Sequence, residues 1–234
     1  MRRLSLDGPM IPEFVVAIDG PAGAGKSTVA RLLAERLAGF RYLDTGAMYR
    51  AVTAYLLHIG QLQADESEMA RAAEGLVMEG DRLSLHGVDV TESIRSPEVT
   101  SEVSRVSAVP LVRRVVQAKQ REVTGRIVAE GRDIGSVVFP QAQVKVYLDA
   151  SLSERASRRH RQYPEFSIEE YEERIRTRDN LDSTREDSPL VQADGAIHID
   201  TTGLSIDEVL DRVKALVDER LNQGGGSGSP EQRG

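Results

Sequence analysis

The stretch Gly20-Pro21-Ala22-Gly23-Ala24-Gly25-Lys26-Ser27-Thr28 constrains this chain more than any other. It follows an apolar run, Phe14 to Ile18, that reads as a strand. It precedes Thr28 to Ala38, where Val29, Leu32, Leu33 and Leu37 recur at helical spacing. Strand, glycine-rich turn and helix form the context that the G-x-x-x-x-G-K-[ST] pattern requires. Glycines let the backbone curl until several N–H groups point inward, and the new helix adds the positive end of its dipole. Such a cradle holds the phosphates of a nucleoside triphosphate, so Gly20, Pro21, Ala22, Gly23, Ala24, Gly25, Lys26, Ser27 and Thr28 are its candidate contacts. Lys26 is placed to reach the β and γ phosphates from a solvent-reachable position, and the Ser27 hydroxyl to ligate Mg²⁺.

With 234 residues, 40% of them hydrophobic, the chain is long enough for one large domain or two small ones with a proper core. The net charge of −7 argues against general nucleic-acid affinity, so anion binding has to come from locally clustered arginines. The absence of cysteine excludes disulfides, thiolate metal sites and cysteine nucleophiles. No apolar run approaches a membrane span and no signal-peptide core is visible, which makes no membrane association and a cytoplasmic location the expectation.

Residues 1 to 12 read as a flexible terminus, with Met10 an alternative start, and the Gly/Ser-rich stretch from 223 to 234 as a flexible tail. Between them, 13–222 read as one domain. Tyr42-Leu43 is a short strand leading into Asp44-Thr45-Gly46-Ala47-Met48-Tyr49-Arg50 and a helix to Ile59. Asp65 to Glu79 reads as a helix with Asp65 and Glu68 in capping-box spacing. Leu83 to Val90 alternates around His86-Gly87 as a β-hairpin, which marks residues 61 to about 100 as an insertion in an otherwise alternating α/β chain. Pro97 to Ser107 and Pro110 to Val123 are helices opened by proline. Arg126 to Ala129 and Val144 to Leu148 are buried strands, and helices follow Ser151 and Ser167. A short strand, Ala196 to Ile199, precedes a last helix capped by Ser205 and Glu208.

Buried strands separated by helices imply a parallel sheet covered on both faces, with ligands at the carboxyl ends of its strands. Four segments converge there: the glycine-rich turn, Asp44 to Arg50, Glu130 to Asp133, and the residues after Asp149. Glu130 ends an apolar strand where a carboxylate can face the Mg²⁺ held by Ser27, and Arg132 stands at the mouth of the same cleft, suited to grip a phosphate. Arg155, Arg158, Arg159, Arg161, Arg174, Arg176, Arg178 and Arg185 read as a flap whose guanidinium groups close over transferring phosphates. The competing reading is a solvated face paired with Glu170, Glu172 and Glu173. His58, His86, His160 and His198 lack ligand spacing, and no guanosine-reading N-K-x-D pattern is present.

From Phe14 to Leu221 the sequence resembles the bacterial cytidylate kinases. The resemblance is carried by Ile18 to Ser27, Leu43 to Arg50, Glu130-Gly131-Arg132-Asp133-Ile134-Gly135, Val137 to Pro140, Arg178-Asp179, Asp182 to Arg185 and Pro189-Leu190. It implies a P-loop kinase core, a nucleoside-monophosphate-binding region at about 45–118 enlarged by a small antiparallel sheet, and a helical lid at about 155–185. It implies transfer of the ATP γ-phosphoryl group to CMP or dCMP, with Mg²⁺, in pyrimidine metabolism. Residue by residue, Arg50, Arg132 and Arg185 would hold the acceptor phosphate. Ser104, Arg113 and Asp133 would read the base. Arg178 and Asp182 would lie near sugar and phosphates, with Asp44, Thr45 and Tyr49 completing the CMP site. Arg155 and Arg159 would clasp ATP, and Lys26, Arg132, Arg159 and Arg178 would be catalytic. Glu130 stands where the family also uses Asp, with Mg²⁺ as its expected partner beside Ser27. The alternatives are a P-loop kinase for another small acceptor, such as UMP, dTMP or shikimate, and an ATP-sensing module without turnover. No long apolar stripe is left over, so a monomer is expected.

Overall fold

The computed structural model describes residues 12–224; the expected alternative start at Met10 and nearly all of the two terminal stretches lie outside them. Five parallel strands form the main sheet: β1 (Phe14–Asp19), β2 (Phe40–Asp44), β6 (Arg126–Gly131), β7 (Val144–Asp149) and β8 (Ile197–Asp200), in the order β2-β6-β1-β7-β8. Both faces of β1 are buried, and its alternation sorts the core. Val15 and Ala17 point into one apolar cluster, Val16 and Ile18 into the other. The first cluster is closed by α2 (Thr45–His58), α3 (Glu66–Glu74), α4 (Pro97–Ala108) and α5 (Pro110–Arg121). The second is closed by α1 (Lys26–Arg36) and α8 (Ile206–Gly224). The chain leaves β1 for β2 on one side and later crosses from β6 to β7 on the other, so the crevice at the carboxyl end of β1 is a topological switch point.

Local signals explain most boundaries. Asp44, Asp65, Ser96, Ser151 and Ser167 each accept the backbone N–H three residues on, and Pro97 and Pro110 open their helices. One expectation is corrected. The helix expected to run from Asp65 to Glu79 stops at Glu74, and Leu76–Glu79 is a strand, β3, paired antiparallel with β4 (Arg82–Leu85), itself paired with β5 (Val88–Asp89). Gly75 ends the helix beneath the His86 ring, where an added Cβ would come within 2.4 Å of His86 Cδ2. Leu76 then buries against the core while Val77 faces solvent, a period of two that an apolar pair cannot announce by itself.

The segment between β7 and β8 is an antiparallel helical pair, α6 (Leu152–Gln162) and α7 (Ile168–Thr184), with its own small cluster of Ala156, Tyr171 and Ile175. Among the described residues no helix is long and apolar enough to cross a membrane.

Candidate active site

The turn between β1 and α1 is built for close approach. Gly20 has φ 146°, and a Cβ there would lie 1.9 Å from the Leu148 carbonyl oxygen of the neighbouring strand; Gly23 packs under Arg155, whose Cβ would be 3.0 Å away. Backbone with positive φ and no room for a side chain admits glycine alone. The loop closes over Lys26, whose Nζ donates to the Pro21 carbonyl at 2.8 Å. Lys26 is only 5% exposed, which corrects the expectation of a solvent-reachable side chain. Burial, then the Arg132 guanidinium, push its ammonium well below the usual lysine range.

Ser27 and Glu130 meet as expected. The Ser27 hydroxyl donates to Glu130 Oε1 at 2.8 Å, and the Tyr42 hydroxyl approaches the same oxygen at 3.4 Å. Asp44 lies opposite Glu130 in the β2–β6 register, and burial together with Asp44 raises the Glu130 carboxyl above its ordinary value. Hard oxygen donors facing a phosphate cradle, with two carboxylates in mutual repulsion, fit a small divalent cation that keeps water and phosphate ligands. The Thr45 hydroxyl, expected at the acceptor, donates instead to the Glu130 carbonyl at 2.7 Å and clamps the end of β6.

Beyond β6 the chain brings together residues far apart in sequence. Arg132 Nε donates to Asp182 Oδ2 at 2.8 Å, while Arg185 Nη1 lies 3.5 Å from the other oxygen of Asp182. Arg185 Nε donates to the Ser188 carbonyl, and its Nη2 has no hydrogen-bond partner among the described residues. Arg132 Nη1 also reaches the Gly131 carbonyl at 3.5 Å, and both guanidinium groups are largely buried around Asp182. Burial alone would raise Asp182, but Arg132 and Arg178 outweigh it and hold the carboxyl below the usual range. Arg178 is pushed down to about 10 by burial and by the neighbouring Arg132. Arg50 pairs with Asp44 at 3.0 Å at the start of α2.

Asp133 is the centre of a buried polar cluster. Its Oδ2 accepts from Arg113 Nη2 at 2.6 Å and from Gln117 Nε2 at 3.1 Å. Its Oδ1 accepts no hydrogen bond among the described residues, with Arg185 Nη2 at 3.8 Å, beyond hydrogen-bond reach. Arg113 is fully buried under Tyr49, 5.2 Å from the ring centroid, and the Tyr49 hydroxyl and Arg113 Nε are unpartnered among the described residues. Ser104 sits half-buried on α4, and its side chain makes no hydrogen bond among the described residues. Gln117 escaped the reading of the sequence. The signal was there: a second polar side chain four residues after Arg113 on the buried face of α5.

The helical pair divides its arginines. Arg155 donates to the Ala150 and Ala22 carbonyls and to Asp179, and Asp179 in turn accepts the Ala22 N–H, tying both helices to the phosphate loop. Arg158, not counted among the ATP contacts, binds Thr201 and stands 3.8 Å from the position of a Cβ on Gly25. Arg159, expected on ATP, lies over the Tyr163 ring at 4.5 Å, and Arg174 over Phe166 at 3.7 Å. None of Glu170, Glu172 and Glu173 pairs with an arginine among the described residues; Arg158 and Arg161 pair instead with Glu154, and Arg161, Arg174 and Arg176 are exposed, as on a solvated face. With only three buried apolar residues of its own, the pair is held to the rest of the protein mainly by the polar ties of Arg155 and Arg158, which a bound nucleotide can replace. Hydrogen exchange across 152–184 is expected to be among the fastest of the helical segments and to slow on adding a bisubstrate mimic. Equal protection with and without the mimic would make the pair a rigid element.

Comparison with known proteins follows the same outline. The cytidylate kinase of Solibacter usitatus (strain Ellin6076) is 48% identical over 220 residues, covering 90% of this chain and 94% of that protein. The cytidylate kinase of Carboxydothermus hydrogenoformans is 49% identical over 214 residues, covering 86% and 96%. That of Streptococcus pneumoniae (strain 70585) is 46% identical over 220 residues, covering 88% and 98%. The cytidylate kinase family model matches residues 16–219, nearly the whole described chain, and the chain belongs to the cytidylate kinase family.

Proposed function

We infer that this chain transfers the γ-phosphoryl group of ATP to CMP or dCMP, giving CDP or dCDP and ADP. The observation that carries the reading is the pairing, at one sheet edge, of a phosphate loop with a second anion site and a base-reading carboxylate. Arg132 and Arg185 gather around Asp182 there, and Asp133 has one oxygen bonded twice and one without a hydrogen bond among the described residues. Family membership supports the same acceptor.

In this reading ATP lies along Gly20 to Thr28 with Arg155 and Arg158 beside it, and CMP lies between Arg50, Arg132, Asp182 and Arg185. Residues 45–118 carry the acceptor site and 155–185 the lid. An oxygen of the CMP phosphate attacks the γ phosphorus, the bond to the β–γ bridging oxygen breaks, and ADP leaves. Lys26, Arg132 and Arg178 neutralise the charge spread over the transferring group, which is most of what such catalysis requires. Ser27 and Glu130 would hold Mg²⁺, which when bound supplies further charge neutralisation at the phosphates. Closing the helical pair over both nucleotides keeps water from the phosphoryl group.

Base choice follows from Asp133 Oδ1. Cytosine offers an exocyclic amino donor, whereas uracil presents a carbonyl at the same place and leaves the carboxylate facing an acceptor. In a desolvated pocket that mismatch costs about 2–4 kcal/mol. Asp133→Asn is expected to narrow the CMP/UMP ratio of kcat/KM by lowering CMP more than UMP. Initial rates with CMP, dCMP, UMP and AMP at saturating ATP and Mg²⁺ test both the activity and the variant. Acceptor-independent ADP release, or an unchanged ratio in Asp133→Asn, would overturn the reading.

A further inference from the structure

Asp19 ends β1, one residue before the phosphate loop, and is 3% exposed. A carboxylate at the end of an apolar strand has no place in a core unless something there needs an acceptor. Both of its oxygens are used. Oδ1 accepts the backbone N–H of Ile134 at 2.8 Å, and Oδ2 that of Gly135 at 2.7 Å. These two amides open the turn Ile134–Val138, and the residue immediately before it is Asp133, whose carbonyl accepts from Val137 and Val138. Asp19 is also the register partner of Gly131 in the neighbouring strand, so the segment 131–135 leaves the sheet beside Asp19 and its far end is bonded by the same residue.

We propose that Asp19 is a positioning residue for the acceptor half of the site. From the end of the donor strand it fixes the peptide planes of Ile134 and Gly135, so that Arg132 and Asp133 are presented to CMP at a set distance from the phosphate loop. It touches neither nucleotide. Two consecutive amides bonded to one carboxylate hold a loop in orientation as well as position, which a single contact does not. The room for adjustment is small. A Cβ on Gly131 would come within 2.6 Å of Thr45 Oγ1, and one on Gly135 within 3.4 Å of Asp19 Oδ2. Burial raises the Asp19 carboxyl to about 6, with its two backbone bonds and Lys26 opposing and Asp133 adding to the rise. The group is therefore held ionised at neutral pH by its bonds.

The proposal rests on the reading of Arg132 and Asp133 as acceptor residues, and the experiment separates the two. Asp19→Asn keeps the shape of the side chain but turns one acceptor into a donor facing an N–H. With it, kcat/KM for CMP is expected to fall about tenfold or more and the CMP/UMP ratio to narrow, while ATP affinity measured by titration stays within about threefold. An Asp19→Asn enzyme that loses ATP and CMP affinity equally, or keeps its CMP/UMP ratio, makes Asp19 an ordinary buried group and overturns the proposal. Asp133→Asn is run in parallel. If it narrows the ratio and Asp19→Asn does not, the proposal alone fails; if neither narrows it, the acceptor reading fails as well. Should Asp19→Asn not fold, Asp19→Ser, which leaves space for a water between hydroxyl and amides, carries the same comparison.

Discussion

Replacing Lys26 with alanine is expected to lower kcat by ~10³-fold or more while the chain stays folded. The ammonium is sealed beneath its own loop, bonded to the Pro21 carbonyl, and disfavoured by burial and by Arg132. A transferring phosphoryl group adds negative charge to that of Glu130 and Asp19 nearby, so the interaction strengthens as charge moves toward the β–γ bridge, and its loss falls on kcat. The same burial makes a second forecast. Burial and Arg132 outweigh the nearby Glu130 and Asp19 and make this charge costly to keep, so Lys26→Met, which preserves volume without the charge, is expected to melt at or above the wild-type temperature. Steady-state rates and thermal melts of both variants check this. Turnover within tenfold of wild type would remove Lys26 from the phosphoryl path, and a melting temperature for Lys26→Met as low as that for Lys26→Ala would contradict the burial argument.

Arg132→Ala is expected to cost about 2–4 kcal/mol in kcat/KM for CMP with little change in the KM for ATP. In the function proposed above Arg132 stands on the acceptor side, with its Nε committed to Asp182 and its Nη1 reaching the Gly131 carbonyl at 3.5 Å. Truncation also strips Asp182 of its nearest cation, leaving Arg185 at 3.5 Å as its closest partner. The single variant should therefore lose stability through an under-compensated buried carboxylate. Adding Asp182→Asn should restore the melting temperature without restoring CMP turnover. If Arg132→Ala weakens ATP and spares CMP, Arg132 belongs to the donor nucleotide.

The parts of this protein legible in its sequence are those written in neighbouring residues. The phosphate loop is read from eight consecutive positions because its conformation depends on glycines and on the helix that begins at once after it. Strand β1 is read from its apolar run, helix α2 from its helical pattern, and α4 and α5 from the prolines at their first turns, all signals carried within one or two turns of chain. Glu130 is read from its place at the end of an apolar strand, and the Ser27 hydroxyl donates to it at 2.8 Å.

Tertiary structure decided the rest. Leu76 and Val77 suit a helix as well as a strand, and only pairing with Leu85 and Ser84 chose the strand. Arg132 and Asp182 lie 50 positions apart, and Asp19 and Gly135 lie 116 apart, separations at which spacing says nothing about contact. Whether Lys26 meets water depends on how the loop folds back over it, and the spare oxygen of Asp133 exists because Arg113 and Gln117 arrive from another helix to occupy its twin. Periodicity and capping act within one or two turns of chain. Burial, charge compensation and the choice of which lone pair stays open are properties of the segments that happen to cover a residue, and these are set only when the sheet closes its order.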